Sequence, residues 1–68
     1  MEAIDARGLS CPQPVILLKQ ALDKKPAECR ILVDNRTALE NTTRYAENAG
    51  YHTSYTQEKS DFLLVASK

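Results

Sequence analysis

The chain has 68 residues, of which 43% are hydrophobic, and its nine Lys+Arg balance nine Asp+Glu to a formal net charge of zero. This composition fits one small globular domain and is too apolar for a disordered chain. The balanced charge argues against a dedicated nucleic-acid binder, and the lack of an apolar run of ~18 residues argues against a membrane-spanning segment.

The first nine residues hold two acids and no apolar stretch, so we expect no secretion signal and a cytoplasmic protein. In a reducing cytoplasm Cys11 and Cys29 are expected to be free thiols. Residues 1–68 are expected to form a single domain, either a stand-alone protein or the N-terminal fragment of a longer chain.

The chain opens with a short candidate strand, residues 1–6, in which Ile4 is the main apolar residue. Residues 7–10 follow as a loop that contains Gly8.

A first helix is predicted from Pro12 to about Lys25. Proline suits the first helical position, and Pro14 still lies inside the first turn, where no intrahelical bond is lost. Pro26 ends the helix. Apolar residues at helical spacing form its predicted core stripe: Val15, Leu18 and Leu22.

The middle of the chain predicts a strand and a second helix. Residues 29–33 are rich in β-branched residues and read as a strand. Thr37 and Glu40 have capping-box spacing for a helix that ends before Gly50. Its predicted inner face is Leu39, Thr42, Ala46 and Ala49.

The last third predicts two strands joined by a polar turn. Residues 51–56 are rich in Thr and Tyr, residues 57–60 form the turn, and residues 62–66 are continuously apolar. Such a run is typical of a centrally placed strand, whereas the third strand is polar enough for an edge.

The predicted order is therefore βαβαββ. Right-handed crossovers place both helices on one face of the sheet. We expect the fourth strand to insert between the second and third strands, antiparallel to both. The other face would be open, with Leu32 on it, and is a candidate contact surface.

Cys11 is the candidate reactive residue, because it falls at the N-cap of the first helix. The positive end of the helix dipole lowers the pKa of a thiol there, and the thiolate is the reactive form. Pro12 and Pro14 carry no N–H, so only Gln13 and Val15 offer nearby donors, which leaves the sulfur exposed and rigidly held. The alternative is that Cys11 is a small buried hydrophobe.

Residues 7–14, Arg-Gly-Leu-Ser-Cys-Pro-Gln-Pro, resemble the signature of the TusA/SirA/YedF family of small sulfur-carrier proteins with a CPxP motif. Residues 4–5, Val15 and Lys19 are also similar to that family. Residues further along look nearest to its YedF-like branch: 33–35, Asn41 and 50–51. The resemblance covers the whole chain.

The resemblance implies an α/β fold, a two-layer α/β sandwich of βαβαββ order, with a mixed four-stranded sheet and strand 4 antiparallel. It implies that Cys11 carries sulfur as a persulfide, taken from a cysteine desulfurase-type donor and passed to an acceptor protein in sulfur or selenium metabolism. No cofactor is implied. Asp5, Arg7 and Gly8 match family positions around the cysteine loop.

The remaining candidates have competing interpretations. Cys29 alternates with Ile31 and Val33 and is expected in the core, with a resolving thiol as the alternative; a metal site from Cys11, Cys29 and His52 lacks ligand spacing and is not expected.

Ile16 and Leu17 fall off the core stripe, and with Lys19 they form a candidate partner-binding surface on the first helix. Scattered surface residues are the alternative for the two apolar ones. A competing function is a non-catalytic regulatory or interaction module, in which Cys11 is structural or senses oxidation.

Overall fold

The computed structural model describes residues 3–9 and 13–68, which fold as a two-layer α/β sandwich. Two helices cover one face of a four-stranded sheet, as predicted. The elements in chain order are β1 (Ile4–Asp5), α1 (Gln13–Leu22), β2 (Glu28–Val33), α2 (Arg36–Asn48), β3 (His52–Glu58) and β4 (Asp61–Ser67). Neither described helix is long and apolar enough to cross a membrane.

The sheet has the order β1-β2-β4-β3. β1 is parallel to β2, and β4 is antiparallel to both of its neighbours. The prediction that the fourth strand inserts between the second and third is therefore confirmed. Its apolar sequence explains the position, because a central strand buries more side-chain surface than an edge strand.

The core lies between the sheet and the helices. Alternate residues of β2 and β4 face it, so that each strand buries every second side chain. The residues of these strands that face the helices are Cys29, Ile31, Val33, Phe62, Leu64 and Ala66. Leu32, Leu63 and Val65 occupy the opposite, open face and are half-buried, which confirms the expected side of Leu32.

Helix α1 ends at Leu22, so the prediction that it reaches Lys25 is wrong. The amides of Lys24 and Lys25 donate to the carbonyls of Ala21 and Leu22, three residues back, which makes a tight turn. Lys25 has a φ of 53°, the left-handed conformation that commonly ends a helix.

The buried stripe of α1 is Pro14, Leu18 and Leu22, whereas Val15 is only half-buried. Spacings of three and four residues are both helical, so the sequence could not distinguish Val15 from Pro14 as the first member. With the stripe shifted by one residue, Leu17 packs partly buried against the core. The expectation that Leu17 points away from the core is wrong.

Helix α2 begins two residues earlier than the capping-box prediction, which placed the N-cap at Thr37. Its N-cap is Asn35, whose side-chain oxygen accepts a 2.7 Å hydrogen bond from the amide of Ala38. Ala38 is consequently buried, while Ala49 is exposed at the C-cap and not on the inner face. Gly50 follows with a φ of 92°, the left-handed conformation expected after a helix.

The β3–β4 hairpin is tighter than predicted. β3 continues to Glu58 and β4 starts at Asp61, so the connecting turn has only two residues and Gln57 belongs to the strand. Tyr51 precedes β3 and is buried. Its hydroxyl donates to the carbonyl of Pro26, at 2.8 Å, and ties the strand to the end of the α1 segment.

Candidate functional site

The loop that follows β1 comes shortly before Cys11 in the sequence. Ala6 is buried and its amide donates to the carbonyl of Leu32, which extends the β1–β2 pairing by one bond. The chain then turns at Arg7 and Gly8. Gly8 has a φ of 78°, which a side chain would strain although no atom crowds the position.

Arg7 is held by two carboxylates from different parts of the chain. Its guanidinium lies 3.0 Å from a carboxylate oxygen of Asp5 and 3.2 Å from one of Asp61, the first residue of β4. The Asp5 carboxylate also accepts the Arg7 backbone amide at 3.1 Å. These hydrogen bonds lower the pKa of Asp5 and raise that of Arg7. The cluster is exposed, so its main effect is to orient the loop.

Asp34 is a second anchor of the same loop. One oxygen of its carboxylate accepts the backbone amide of Gly8 at 2.8 Å, and the other accepts the side-chain amide of Asn35 at 3.1 Å. Asp34 therefore connects the loop after β1 to the cap of α2. Sequence reasoning missed both Asp34 and Asp61. For Asp34 a signal existed, because it follows β2 and the carboxyl ends of parallel strands meet at one edge.

The structure brings together only some of the predicted site residues. Asp5, Arg7 and Gly8 lie together at the turn after β1, which we call the anchored loop. Gln13 begins α1 and has an exposed side chain. Pro14 is fully buried, so it has a packing role in addition to shaping the first turn. Cys11 and Pro12 lie outside the described residues.

The candidate partner-binding residues of α1 fall into two groups. Ile16 and Lys19 are exposed, Ile16 to 39% of its surface. Leu17 instead packs partly against the core. The exposed surface of this helix available to a partner is therefore narrower than the sequence indicated.

Cys29 is buried, with 3% of its surface exposed, as predicted. Burial raises the pKa of its thiol, because the thiolate would be poorly solvated there. Within residues 3–9 and 13–68, no cluster of three or more His, Cys, Asp or Glu is arranged to hold a metal ion. His52 lies exposed at the start of the edge strand β3.

Replacing Asp34 with alanine should loosen the loop before Cys11 without unfolding the chain. The Gly8 amide loses a charged acceptor, and because that acceptor is exposed we expect only a roughly threefold to tenfold faster amide exchange at Gly8. Hydrogen exchange followed by NMR measures it. Asp23→Ala, which removes an exposed carboxylate after α1, is the matched control. Unchanged exchange at Gly8 in Asp34→Ala would show that the turn does not depend on the hydrogen bond to Asp34.

Comparison with known proteins identifies relatives over the whole chain. The family described as sulfurtransferase TusA matches residues 2–68. A protein of Methanocaldococcus jannaschii, named as a candidate sulfur carrier protein, is 38% identical over 71 residues, covering 100% of this chain and 95% of the relative. The crystal structure of a SirA-like protein from Desulfitobacterium hafniense is similar at a TM-score of 0.88 and 34% identity, covering 98% of this chain and 96% of that one.

Proposed function

Because the chain belongs to the sulfurtransferase TusA family, we propose that it is a sulfur carrier that holds a persulfide on Cys11. The observation that supports the proposal most is the position of Cys11 in the family-like segment Cys11-Pro12-Gln13-Pro14. Gln13 and Pro14, the last two residues of this segment, belong to α1. The family match and the name of the M. jannaschii relative support the carrier role; the persulfide on Cys11 is the finer part of the proposal.

The other cysteine is poorly suited to the role. Cys29 is buried and its pKa is raised by desolvation, so its thiol stays protonated at neutral pH. A buried thiol is also out of reach of a partner protein. Since the chain has only two cysteines, Cys11 is the residue left to carry sulfur.

The proposed chemistry is an exchange between two proteins. The Cys11 thiolate attacks the outer sulfur of a donor persulfide, the donor S–S bond breaks, and the donor cysteine leaves as a thiolate. Cys11 then holds the outer sulfur as its own persulfide, which an acceptor removes in a second transfer. A cysteine already ionised at neutral pH needs no general base for this attack.

The anchored loop has a defined part in this proposal. Hydrogen bonds to Asp5, Asp61 and Asp34 fix Arg7 and Gly8, which lie four and three residues before Cys11 in the sequence. A loop held at its start limits the space that the following cysteine can sample, which favours a productive approach to a partner sulfur. Arg7 is itself ion-paired with Asp5 and Asp61, so its part in the proposal is to hold the loop.

We propose a cysteine desulfurase as the donor and a cytoplasmic acceptor protein as the recipient. The exposed Ile16 and Lys19 on α1, next to the cysteine segment, are the proposed contact residues. The same exchange chemistry accommodates selenium in place of sulfur, and the YedF-like residues 33–35 are the reason to include it.

The test is to incubate the protein with a cysteine desulfurase and L-cysteine and to measure its intact mass. We expect a gain of one sulfur atom that a thiol reductant removes. Failure to gain sulfur from any desulfurase, with the protein folded, would favour the regulatory-module interpretation.

Cys29→Ala should load sulfur as the wild type does but should be less stable. Alanine leaves a small cavity under the helices, with a cost of roughly 1–2 kcal/mol in the free energy of unfolding. Urea denaturation measures the cost, and intact mass measures loading. A folded Cys29→Ala that loads no sulfur would make Cys29 a relay thiol.

A further inference from the structure

Strand β3 offers an unprotected sheet edge. It runs for seven residues, His52–Glu58, and pairs with β4 in an uninterrupted register. Among the described residues no strand pairs with its other edge. An edge strand usually carries a proline, a lysine or a bulge that prevents it from pairing with another chain, and β3 has none of these. β1, at the opposite side of the sheet, is only two residues long.

A groove of about 320 Å³ runs beside this edge, between β3 and α2. Tyr55 lines this groove and has 51% of its surface exposed, and its ring packs edge-on against Phe62 at a centroid distance of 6.0 Å. The remaining lining residues belong to α2: Arg36, Leu39, Glu40, Thr43, Arg44 and Glu47. An exposed aromatic ring beside an unpaired strand is typical of a contact surface.

The charges along the groove alternate. From the start of α2 they run Arg36, Glu40, Arg44 and Glu47. The Arg36 guanidinium lies 5.8 Å from the centroid of the Phe62 ring, and Phe62 pairs with Gln57 near the end of β3.

Glu47 accepts a 3.1 Å hydrogen bond from the hydroxyl of Thr53, near the start of β3. With Arg36 near the other end of the strand, α2 and β3 therefore run in opposite directions along the groove.

We propose that this surface binds a second copy of the chain, with the two β3 strands pairing antiparallel about Tyr55 to form a continuous eight-stranded sheet. A two-fold axis perpendicular to the sheet generates this arrangement and keeps all four helices on one face. It places His52 opposite Glu58 of the partner subunit, where the imidazole N–H can donate a hydrogen bond to the carboxylate. The remaining opposed residues are polar and compatible: Thr53 with Gln57 and Ser54 with Thr56.

The same axis makes the two α2 helices complementary. They run antiparallel across the interface, which sets Arg36 against Glu47 of the partner subunit and Glu40 against Arg44 of the partner subunit. Reversing an alternating series of four charges brings opposite signs together at every position. One axis is thus compatible with both the strand pairing and the helix charges, and this agreement favours a second copy over an unrelated peptide.

The interface also has to be large enough. A stable interface buries roughly 800 Å² of each partner, about a fifth of the 4394 Å² surface of this chain. A strand edge alone buries less area than this, so the dimer must also bury the groove residues around Tyr55. The β1 side of the sheet, where the loop of Arg7 and Gly8 lies, stays free. The proposal does not depend on sulfur transfer.

Sedimentation equilibrium tests the proposal. A monomer has a mass of 7.6 kDa, and we expect the average mass to rise toward twice that value as the concentration increases to about 1 mM. Arg44→Glu should weaken association by roughly tenfold or more, because it sets two carboxylates against each other on both sides of the axis.

The double variant Glu40→Arg with Arg44→Glu restores opposite signs and should recover association to within about threefold of the wild type. Lys24→Glu, which makes the same charge change in the turn after α1, is the matched control and should associate normally. Circular dichroism confirms that each variant is folded.

Three results would overturn the proposal: a wild-type chain that stays monomeric up to about 1 mM, an Arg44→Glu variant that associates normally, or a double variant that remains as weak as Arg44→Glu. If Arg44→Glu fails to fold, Tyr55→Lys replaces it as the test. A lysine on the edge strand should also prevent pairing.

Discussion

We expect Cys11→Ser to abolish sulfur loading while leaving the fold intact. Serine has nearly the size of cysteine but a hydroxyl that stays protonated at neutral pH, so it cannot attack a donor persulfide as a thiolate can. The loss should be complete, because burial and a raised pKa exclude Cys29 as a substitute. Intact mass after incubation with a cysteine desulfurase and L-cysteine measures it.

Two control variants test whether the sulfur is carried by Cys11. Cys29→Ala keeps Cys11 and should still gain one sulfur, and the double variant lacking both cysteines should gain none. Circular dichroism of Cys11→Ser should match that of the wild type. Sulfur on a folded Cys11→Ser protein would assign the persulfide to Cys29, and the proposed role of Cys11 would then be wrong.

We expect Leu18→Ala to remove most of the stability of the domain. Leu18 is completely buried, at 0% exposure, in the middle of a helix of only ten residues. So short a helix is held by its packing and not by its own propensity. Truncation of a buried leucine costs about 2–5 kcal/mol, against a total of roughly 3–5 kcal/mol for a chain of this size. Urea denaturation should show a large fall in the midpoint or a chain already unfolded in buffer.

Ile16→Ala is the matched control for this prediction, since it truncates an exposed apolar residue on the same helix. Its free energy of unfolding should change by less than about 0.5 kcal/mol. If Leu18→Ala loses no more stability than Ile16→Ala, then α1 is not held by its buried stripe. If Ile16→Ala keeps its stability but loads sulfur more slowly, that result supports the proposed contact role of Ile16.

The buried packing of Pro14 changes what can be expected of the motif prolines. The sequence predicts that both prolines shape the first turn of the helix and leave the Cys11 sulfur with few nearby donors. Pro14 is in fact fully buried, so replacing it removes core contacts as well as backbone restraint. Variants at this position therefore mix a stability effect with any effect on Cys11.

Three features of this protein could be predicted from local sequence patterns: the order of strands and helices, the central position of β4 and the burial of Cys29. These features follow from local patterns: the alternation along residues 28–33, the apolar run of residues 62–66 and the glycine that ends α2. The candidate cysteine was also identified from its neighbours in the chain alone. Such patterns depend only on residues within a few positions of one another.

Two features depend on contacts between distant parts of the chain: the anchoring of the loop before Cys11 and the choice of the buried side of α1. Asp61 meets Arg7 across 54 positions and Asp34 meets Gly8 across 26, and no periodicity links residues so far apart. The shift of the α1 stripe from Val15 to Pro14 follows from the packing of the helix against the core, because both spacings are equally helical. Chain topology, and not local preference, therefore sets these contacts.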